Sequence, residues 1–509
     1  MQFAYSPESH PSIACDLLAY PVFDDDVSKP SPADPATPSS APLKALDAAT
    51  GHAVSALLAS TEFKPELHRC CKLHRPAQLQ AERLLLVGAG KRSEFTPARL
   101  REVAGVAVRA ARASHCKKIA LVCRDAFPAR LAAQMAVEGS LYANYDADLY
   151  KTKDREGGDV TDCQLLFEGE ASGKADGGEV AEGVRRGVAV GEATNFARTL
   201  VNEPANVLTP AQFVQRALDE CAKAGLEAQV MEREGMEALG MNALLAVSRG
   251  SDQPPKLLLL RTPGAVGENA GVPLTALVGK GVTFDSGGIS LKPSDKMEEM
   301  KGDMAGGAAV LGAMLALGRL CPQKPLLGLV PLTENLPGGK ATKPGDVVKS
   351  LSGKTIEIIN TDAEGRLILA DALAYARTLG ATRILDAATL TGACVVALGT
   401  VNAGMLGTDQ ATIDRLRANC AATGEKFWQL PIDDEYKKAI RSEIADMKNV
   451  GGRAGGTITA AKFLQEFVED TPWVHLDIAG MDIDTEGRPF ACKGATGFGV
   501  RTFVQLLEG

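Results

Sequence analysis

The sequence predicts a two-domain α/β protein, with a smaller N-terminal α/β domain and a larger C-terminal domain in which a mixed sheet is covered by helices. Three observations carry this prediction. The chain has 509 residues, 45% of them apolar, more than one ordinary domain uses and enough to bury a large core. Short apolar runs read as buried strands: RLLLVGAG (83–90) and KKIALVC (117–123) early, then LTALVGKG (274–281), LLGLVPLT (326–333) and RILDAATL (383–390). Segments of helical periodicity, such as ARLREVAGVAVRAARA (98–113), lie between them, and strands alternating with helices signal a sheet with helices on its faces.

Taken in order, the N-terminal domain spans 1–180. Within it KPSPADPATPSSAP (29–42) has almost nothing to bury and reads as a flexible surface insertion. The helical stretch GEVAEGVRRGVAVGEATNFARTLVN (178–202) ends at the prolines of EPANVLTP, which places a linker helix over 181–204 and the larger domain over 205–509. A net charge of −8 and the lack of any basic run argue against a nucleic-acid partner. The eleven cysteines are scattered and odd in number, with no CxxC pair, which favours a reducing compartment over a disulfide framework. The N-terminus lacks a basic segment followed by an apolar core, and no apolar run approaches membrane-spanning length. A soluble cytoplasmic protein is expected.

Several motifs are decoys. VGAGKRS (87–93) has the wrong glycine spacing for a phosphate loop. No HExxH or GxSxG occurs, and no cysteine has a local histidine partner, so nothing suggests a covalent nucleophile. Of six histidines only His475 falls in the second domain, and in the apolar run WVHLDIAG it reads as structural.

The informative stretch is NTDAEGR (360–366). It lies between TIEII (355–359), which alternates like a half-buried strand, and LILADALAYARTL (367–379), which has helical spacing. In open α/β sheets such a turn is where ligands bind. A lone D-x-E could equally be a solvated loop. Upstream, VGKGVTFDSGGISLKPSDKMEEMKGDM (278–304) places Lys280 between Gly279 and Gly281, which let the backbone turn tightly. Asp285 precedes Gly287 and Gly288, and Asp303 opens a helical segment running to about Leu320, where an acid could simply stabilise the helix N-terminus. Together, Asp285, Asp303, Asp362 and Glu364 on successive strand-end loops would repel one another unless cations lie between them. Oxygen-rich ligation without histidine or cysteine is compatible with divalent metals, and four acids can bridge two of them.

VGKGVTFDSGGISLKP and NTDAEGRL resemble the signatures of the leucyl aminopeptidase family, the two-metal M17 peptidases. The resemblance extends through NEPANVLTP (202–210), ENLPGGKATKPGDVV (334–348), DAATLTGACVVALG (386–399) and HLDIAG (475–480), and so covers essentially the whole second domain. The first domain resembles the family's variable N-terminal domain only in its α/β character. The resemblance implies that Lys280, Asp285, Asp303 and Glu364 hold one divalent metal, and Asp285, Asp362 and Glu364 the other. Zinc or manganese is implied, with magnesium and cobalt as alternatives. A lysine ligand must be neutral, which from its free pKa costs about 4.6 kcal/mol at pH 7; a metal–nitrogen bond offsets that. The nucleophile implied is a water made acidic by both ions.

The resemblance further implies that Lys292 polarises the scissile carbonyl and that Arg366 holds a bicarbonate ion as proton relay, to which a planar guanidinium is suited. Asp303 and one metal would receive the free amine of a peptide whose backbone contacts Thr389, Leu390 and Gly392. Met300, Thr389, Gly392 and Ala479 would line the first side-chain pocket, whose apolar character favours leucine-like residues. Downstream of HLDIAG the chain reads MDIDTEGRPF; if Asp482 rather than Met481 faces that pocket, basic residues become acceptable. A homohexamer is implied by the family alone. The rival readings are another two-metal hydrolase, such as a phosphoesterase, and a non-catalytic scaffold or nucleic-acid-binding member. The spacing of Lys280, Lys292 and Arg366 speaks against the first, and the presence of all seven matched functional residues in an acidic chain speaks against the second.

Overall fold

The computed structural model describes every residue except 30, 32–33, 125–126, 156, 169–175, 266–271 and 509. The chain forms two compact units, one of Met1–Asn195, Ala421–Gly424 and Thr485–Lys493, the other of Phe196–Cys420, Glu425–Asp484 and Gly494–Gly509. The division falls inside the helix Gly177–Asn202. Nothing in the sequence signals the two late returns to the first unit.

In the first unit the strands β1 (Gln2–Tyr5), β2 (Leu17–Phe23), β3 (Cys70–His74), β4 (Arg83–Gly90), β5 (Lys118–Arg124) and β6 (Asp162–Glu168) form one sheet in the order β1-β6-β5-β2-β4-β3. All neighbours are parallel except β3 and β4. β2 is apolar and buried along its whole length because helices cover both faces of the sheet. Leu17 and Ala19 pack with residues of the helices Pro97–Arg112 and Ala129–Ala143, while Leu18, Tyr20 and Val22 pack with those of Ala41–Ala49 and Ala53–Ala59.

The Pro/Ser-rich insertion falls partly outside the described residues, at 30, 32 and 33. Its flanks are hydrogen-bonded, Ser28 N–H donating to Thr37 O at 2.8 Å and Ser39 N–H to Asp26 O at 2.7 Å. Its last two residues open the helix Ala41–Ala49, which Ser40 caps by accepting from Leu43 N–H.

In the second unit β7 (Glu227–Met231), β8 (Lys256–Arg261), β9 (Leu274–Gly279), β10 (Gly281–Asp285) and β11 (Leu326–Asn335) come first. β12 (Asp346–Lys349), β13 (Thr355–Ile358), β14 (Ala381–Ala388), β15 (Ala403–Gly407), β16 (Phe427–Gln429), β17 (Met447–Lys448) and β18 (Trp473–Asp477) follow. The main sheet runs β16-β15-β18-β14-β9-β11-β8-β7, with β10 also on β11. Its centre, β18-β14-β9-β11, is parallel, so the loops after these strands open at one edge, the edge where α/β sheets bind ligands. LTALVGKG, expected as one strand, is two: β11 pairs first with β9 and then with β10, and Lys280 sits at the joint.

One sequence expectation needs correction, and one is completed. TIEII is a half-buried strand as read, but it lies outside the main sheet. β13 lies in a separate three-stranded sheet, antiparallel to β12 and parallel to β17, because a four-residue, half-buried alternating strand suits a small side sheet rather than a core buried on both faces. The segment Met297–Leu320 is long and apolar enough to cross a membrane, contrary to the expectation that no run approaches that length. In the fold 89% of its apolar window is buried, and its helix Ala305–Leu320 is the core helix against the sheet.

All eleven cysteines are free thiols.

Candidate active site

The loops after β9, β10 and β14, the turn before the helix Ala305–Leu320 and the start of the helix Gly365–Thr378 bring the predicted acids and lysines together. Gly279 and Gly281 do not turn the chain, since neither takes a positive φ. They matter because they lack a side chain. A Cβ on Gly279 would lie 2.4 Å from Gly306 O and one on Gly281 2.5 Å from Pro331 O. Gly279 therefore lets the helix press directly on the end of β9, while Gly281 lets β11 lie close against β10. The turn itself is made by Gly287 and Gly288, with φ of +88° and +67°.

Lys280 lies at the centre. Its Nζ is 2.8 Å from Asp303 Oδ1 and 2.8 Å from Glu364 Oε1, and it donates to Thr389 O at 3.0 Å. Its stem runs beside Gly365, where a Cβ would lie 2.7 Å from Lys280 Cδ, Cε and Nζ. Thr389 Oγ1 also donates to Asp303 Oδ1 at 2.9 Å. Asp285, Asp303 and Glu364 are all buried, and each offers an oxygen within 4.8 Å of the others'.

Asp362 does not join that triad. It is held by Lys292, whose Nζ is 2.5 Å from Asp362 Oδ1 and 2.8 Å from Asp285 Oδ2. Asp285 Oδ1 further accepts from Gly287 N–H and Asn335 Nδ2, both at 2.8 Å.

Burial pushes the carboxyls of Asp285, Asp303 and Asp362 above their ordinary range, Asp303 furthest, and the neighbouring acids add to the effect. Burial alone would lower both lysines, yet the surrounding carboxylates hold Lys280 and Lys292 above the usual ammonium value. Two further oxygens, Asp303 Oδ2 and Glu364 Oε2, are buried without a hydrogen-bond partner among the described residues. Unpartnered buried carboxylate oxygens are costly, and a coordinated cation is one of the few ways to satisfy them. The donor set of this chain therefore fits divalent metal.

Arg366 is buried behind this cluster. Its Nη1 donates to Asn449 O at 2.7 Å, while Nε has no partner among the described residues; burial lowers the guanidinium to about 10. Asn449, which the sequence reading missed, is fully buried. Its Oδ1 accepts from Ile359 N–H at 2.9 Å and Asn360 N–H at 3.3 Å, and its Nδ2 donates to Asn360 O at 2.6 Å and Ala363 O at 3.4 Å. It clamps the NTDAEGR turn. Asn449→Ala is expected to destabilise the protein by about 1–3 kcal/mol, the cost of stranding buried backbone groups. A urea-unfolding midpoint equal to wild type would contradict this.

Asp477, at the end of β18 and also missed, is fully buried. Its Oδ1 accepts from the N–H groups of Leu390 (3.2 Å), Thr391 (3.4 Å) and Ala479 (3.3 Å), and its Oδ2 from Thr391 Oγ1 at 2.6 Å. One carboxylate thus ties two of the predicted substrate positions, Leu390 and Ala479, together with Thr391, into a single ledge. Gly392 lies exposed at the start of the helix Gly392–Leu398, and Met300 lies half-buried in the 3₁₀ turn Met297–Gly302. His475 is fully buried, with Nδ1 2.6 Å from Asp386 Oδ1 between the paired strands β14 and β18. The HLDIAG motif was the available signal for Asp477. Asn449 had none.

Comparisons with known proteins agree with this architecture. Residues 195–504 match the cytosol aminopeptidase family, catalytic domain, and residues 21–154 match the N-terminal domain of the same family. A probable cytosol aminopeptidase of Solibacter usitatus is 49% identical over 450 residues, covering 88% of this chain and 92% of that protein. One from Acidobacterium capsulatum is 47% identical over 469 residues, covering 92% and 91%. Among solved structures, the bottromycin maturation enzyme BotP in complex with Mn superposes with a TM-score of 0.82 at 34% identity, covering 97% of this chain and 99% of that one. A mutant of tomato leucine aminopeptidase gives 0.88 at 32% identity, covering 100% and 96%. With both domains matched and the acidic, lysine-centred cluster at the sheet edge, the chain belongs to the cytosol aminopeptidase family of metal-dependent aminopeptidases.

Proposed function

We propose that this protein removes the first residue from peptides with a free amino terminus, using two divalent metals held by Lys280, Asp285, Asp303, Asp362 and Glu364. The observation that carries the reading is the buried cluster of acids around Lys280, with unpartnered oxygens on Asp303 and Glu364. When bound, the metals would polarise the scissile carbonyl and acidify the attacking water. Asp303, at the end of the turn that carries Met300, would fix the substrate amine. Leu390, held directly by Asp477, would align the peptide backbone together with Thr389 and Gly392 on either side of it. Met300 and Ala479 would offer an apolar wall to a long first side chain such as leucine. Arg366, with Nε unpartnered, would hold bicarbonate as the proton relay. Zinc or manganese suits the donor set, and the same reading includes a cytoplasmic location and a homohexamer.

The direct test is hydrolysis of aminoacyl chromogenic amides. Activity should vanish after verified removal of metal, return with zinc, manganese or cobalt, and be absent on N-acetylated substrates. Full activity in metal-stripped protein, or equal cleavage of acetylated peptides, would overturn the reading.

Lys292 separates binding from chemistry. Part-exposed and reaching both Asp285 and Asp362, it would stabilise the developing oxyanion. Lys292→Ala should therefore keep its metal by elemental analysis while kcat falls about 10²- to 10³-fold, as for the loss of one oxyanion donor. A variant changed only in KM would contradict the role.

A further inference from the structure

Beside the turn that carries Met300 and leads into Asp303 lies a carboxylate that the metal-binding reading does not use. Gly302 has no side chain, and the Cβ position it leaves empty is 3.1 Å from Asp482 Oδ2. Adding a carbon–carbon bond of about 1.5 Å and the roughly 3.8 Å between consecutive Cα atoms, this oxygen lies within about 8.5 Å of the Asp303 Cα. Asp482 is part-buried, and among the described residues no lysine or arginine pairs with it. Another acid, Glu299, acts on it through charge repulsion, and Lys296 approaches Glu299 only to 4.0 Å. Backbone groups of Gly480 and Ile483 steady the carboxylate. Burial, with Glu299 adding to it, pushes it up to about 6, so it is largely ionised at neutral pH. A half-buried anion with no cation of its own, beside the residue that would fix the substrate amine, is poised for a cation that the substrate brings.

We infer that Asp482 selects peptides whose first residue is arginine or lysine, by pairing with the cationic end of that side chain. This rests on the proposed aminopeptidase reading, with the amine held at Asp303. The geometry suits an amphipathic side chain. An arginine or lysine extends about 6 Å from its Cα, so its apolar stem can lie along Met300 and Ala479 while its head reaches Asp482. Leucine and methionine would share the wall without using the charge.

The test compares kcat/KM of the manganese-loaded full-length protein on arginine, lysine, leucine and methionine 4-nitroanilides, for wild type, Asp482→Asn and Asp482→Met. Wild type is expected to cleave the arginine and lysine substrates at least as efficiently as leucine. In both variants the arginine-to-leucine ratio should fall by about tenfold to a hundredfold, the contribution of a charge-assisted hydrogen bond, and the loss should appear mainly in KM. L-Argininamide should also inhibit wild type more strongly than L-leucinamide does. This binding readout needs no variant to fold. An unchanged ratio, or equal losses on both substrates, would overturn the proposal and mark Asp482 as structural. Cleavage of the leucine substrate with rejection of arginine by wild type would overturn this proposal alone, whereas failure on every aminoacyl amide would overturn the aminopeptidase reading beneath it.

Discussion

Glu364→Ala is expected to lose both metal and turnover. Glu364 is buried beside Lys280, with one oxygen on the ammonium and the other unpartnered, so in the proposed centre it is a shared ligand of both metals. Removing it should leave elemental analysis well below two metals per chain. It should also lower kcat by about 10³-fold or more, since metal contributes several kcal/mol of transition-state stabilisation and each 1.36 kcal/mol is a factor of ten. The fold should survive, because Glu364 caps the helix Gly365–Thr378 without a side-chain hydrogen bond to it. Normal metal content in a folded, inactive variant would contradict the bridging assignment and point to a role in positioning Lys280 instead.

Arg366→Ala should retain both metals but lose turnover by roughly 10²- to 10⁴-fold, the usual contribution of general acid or base catalysis. Here the structure refines the expectation. Arg366 also donates to Asn449 O in the buried clamp, so the variant should lose about 1–3 kcal/mol of stability as well. Bicarbonate separates the two effects. Added to decarbonated wild type it should raise the rate, while the variant should respond little, and Arg366→Lys should recover stability better than turnover, because a point charge cannot form the paired bonds that orient a planar anion. A wild type indifferent to bicarbonate would count against the relay. An Arg366 variant lacking metal would show that the residue serves the metal centre instead.

Much of the site is legible in one dimension because its chemistry is concentrated in short loops. Asp285 next to Gly287 and Gly288, and Asp362 with Glu364 between a strand and a helix, stand out as charges where the apolar periodicity breaks. What escaped were the groups that hold those loops. Asn449 reaches the NTDAEGR turn across 83 residues to Arg366, and Asp477 reaches Leu390 across 87. A buried polar residue whose partners are distant backbone atoms leaves no local pattern, since its neighbours in sequence are chosen for their own packing. The side sheet of β13 escaped for a similar reason: alternation reveals a half-buried strand but not which sheet it joins.

By itself the sequence determined the fold class, the run of acids and lysines at strand ends, and the chemistry open to a cluster rich in carboxylates and lacking histidine, because periodicity and residue type are local properties. Only the tertiary structure decided that Asp285, Asp303 and Glu364 share one buried space around Lys280 while Asp362 is held apart by Lys292, that Gly279 and Gly281 serve close packing rather than turning, and that Asp482 stands uncompensated beside Gly302. The physical reason is that the energy of a charge depends on burial and on what lies within a few ångströms of it, and both are set by segments that meet only when the chain folds.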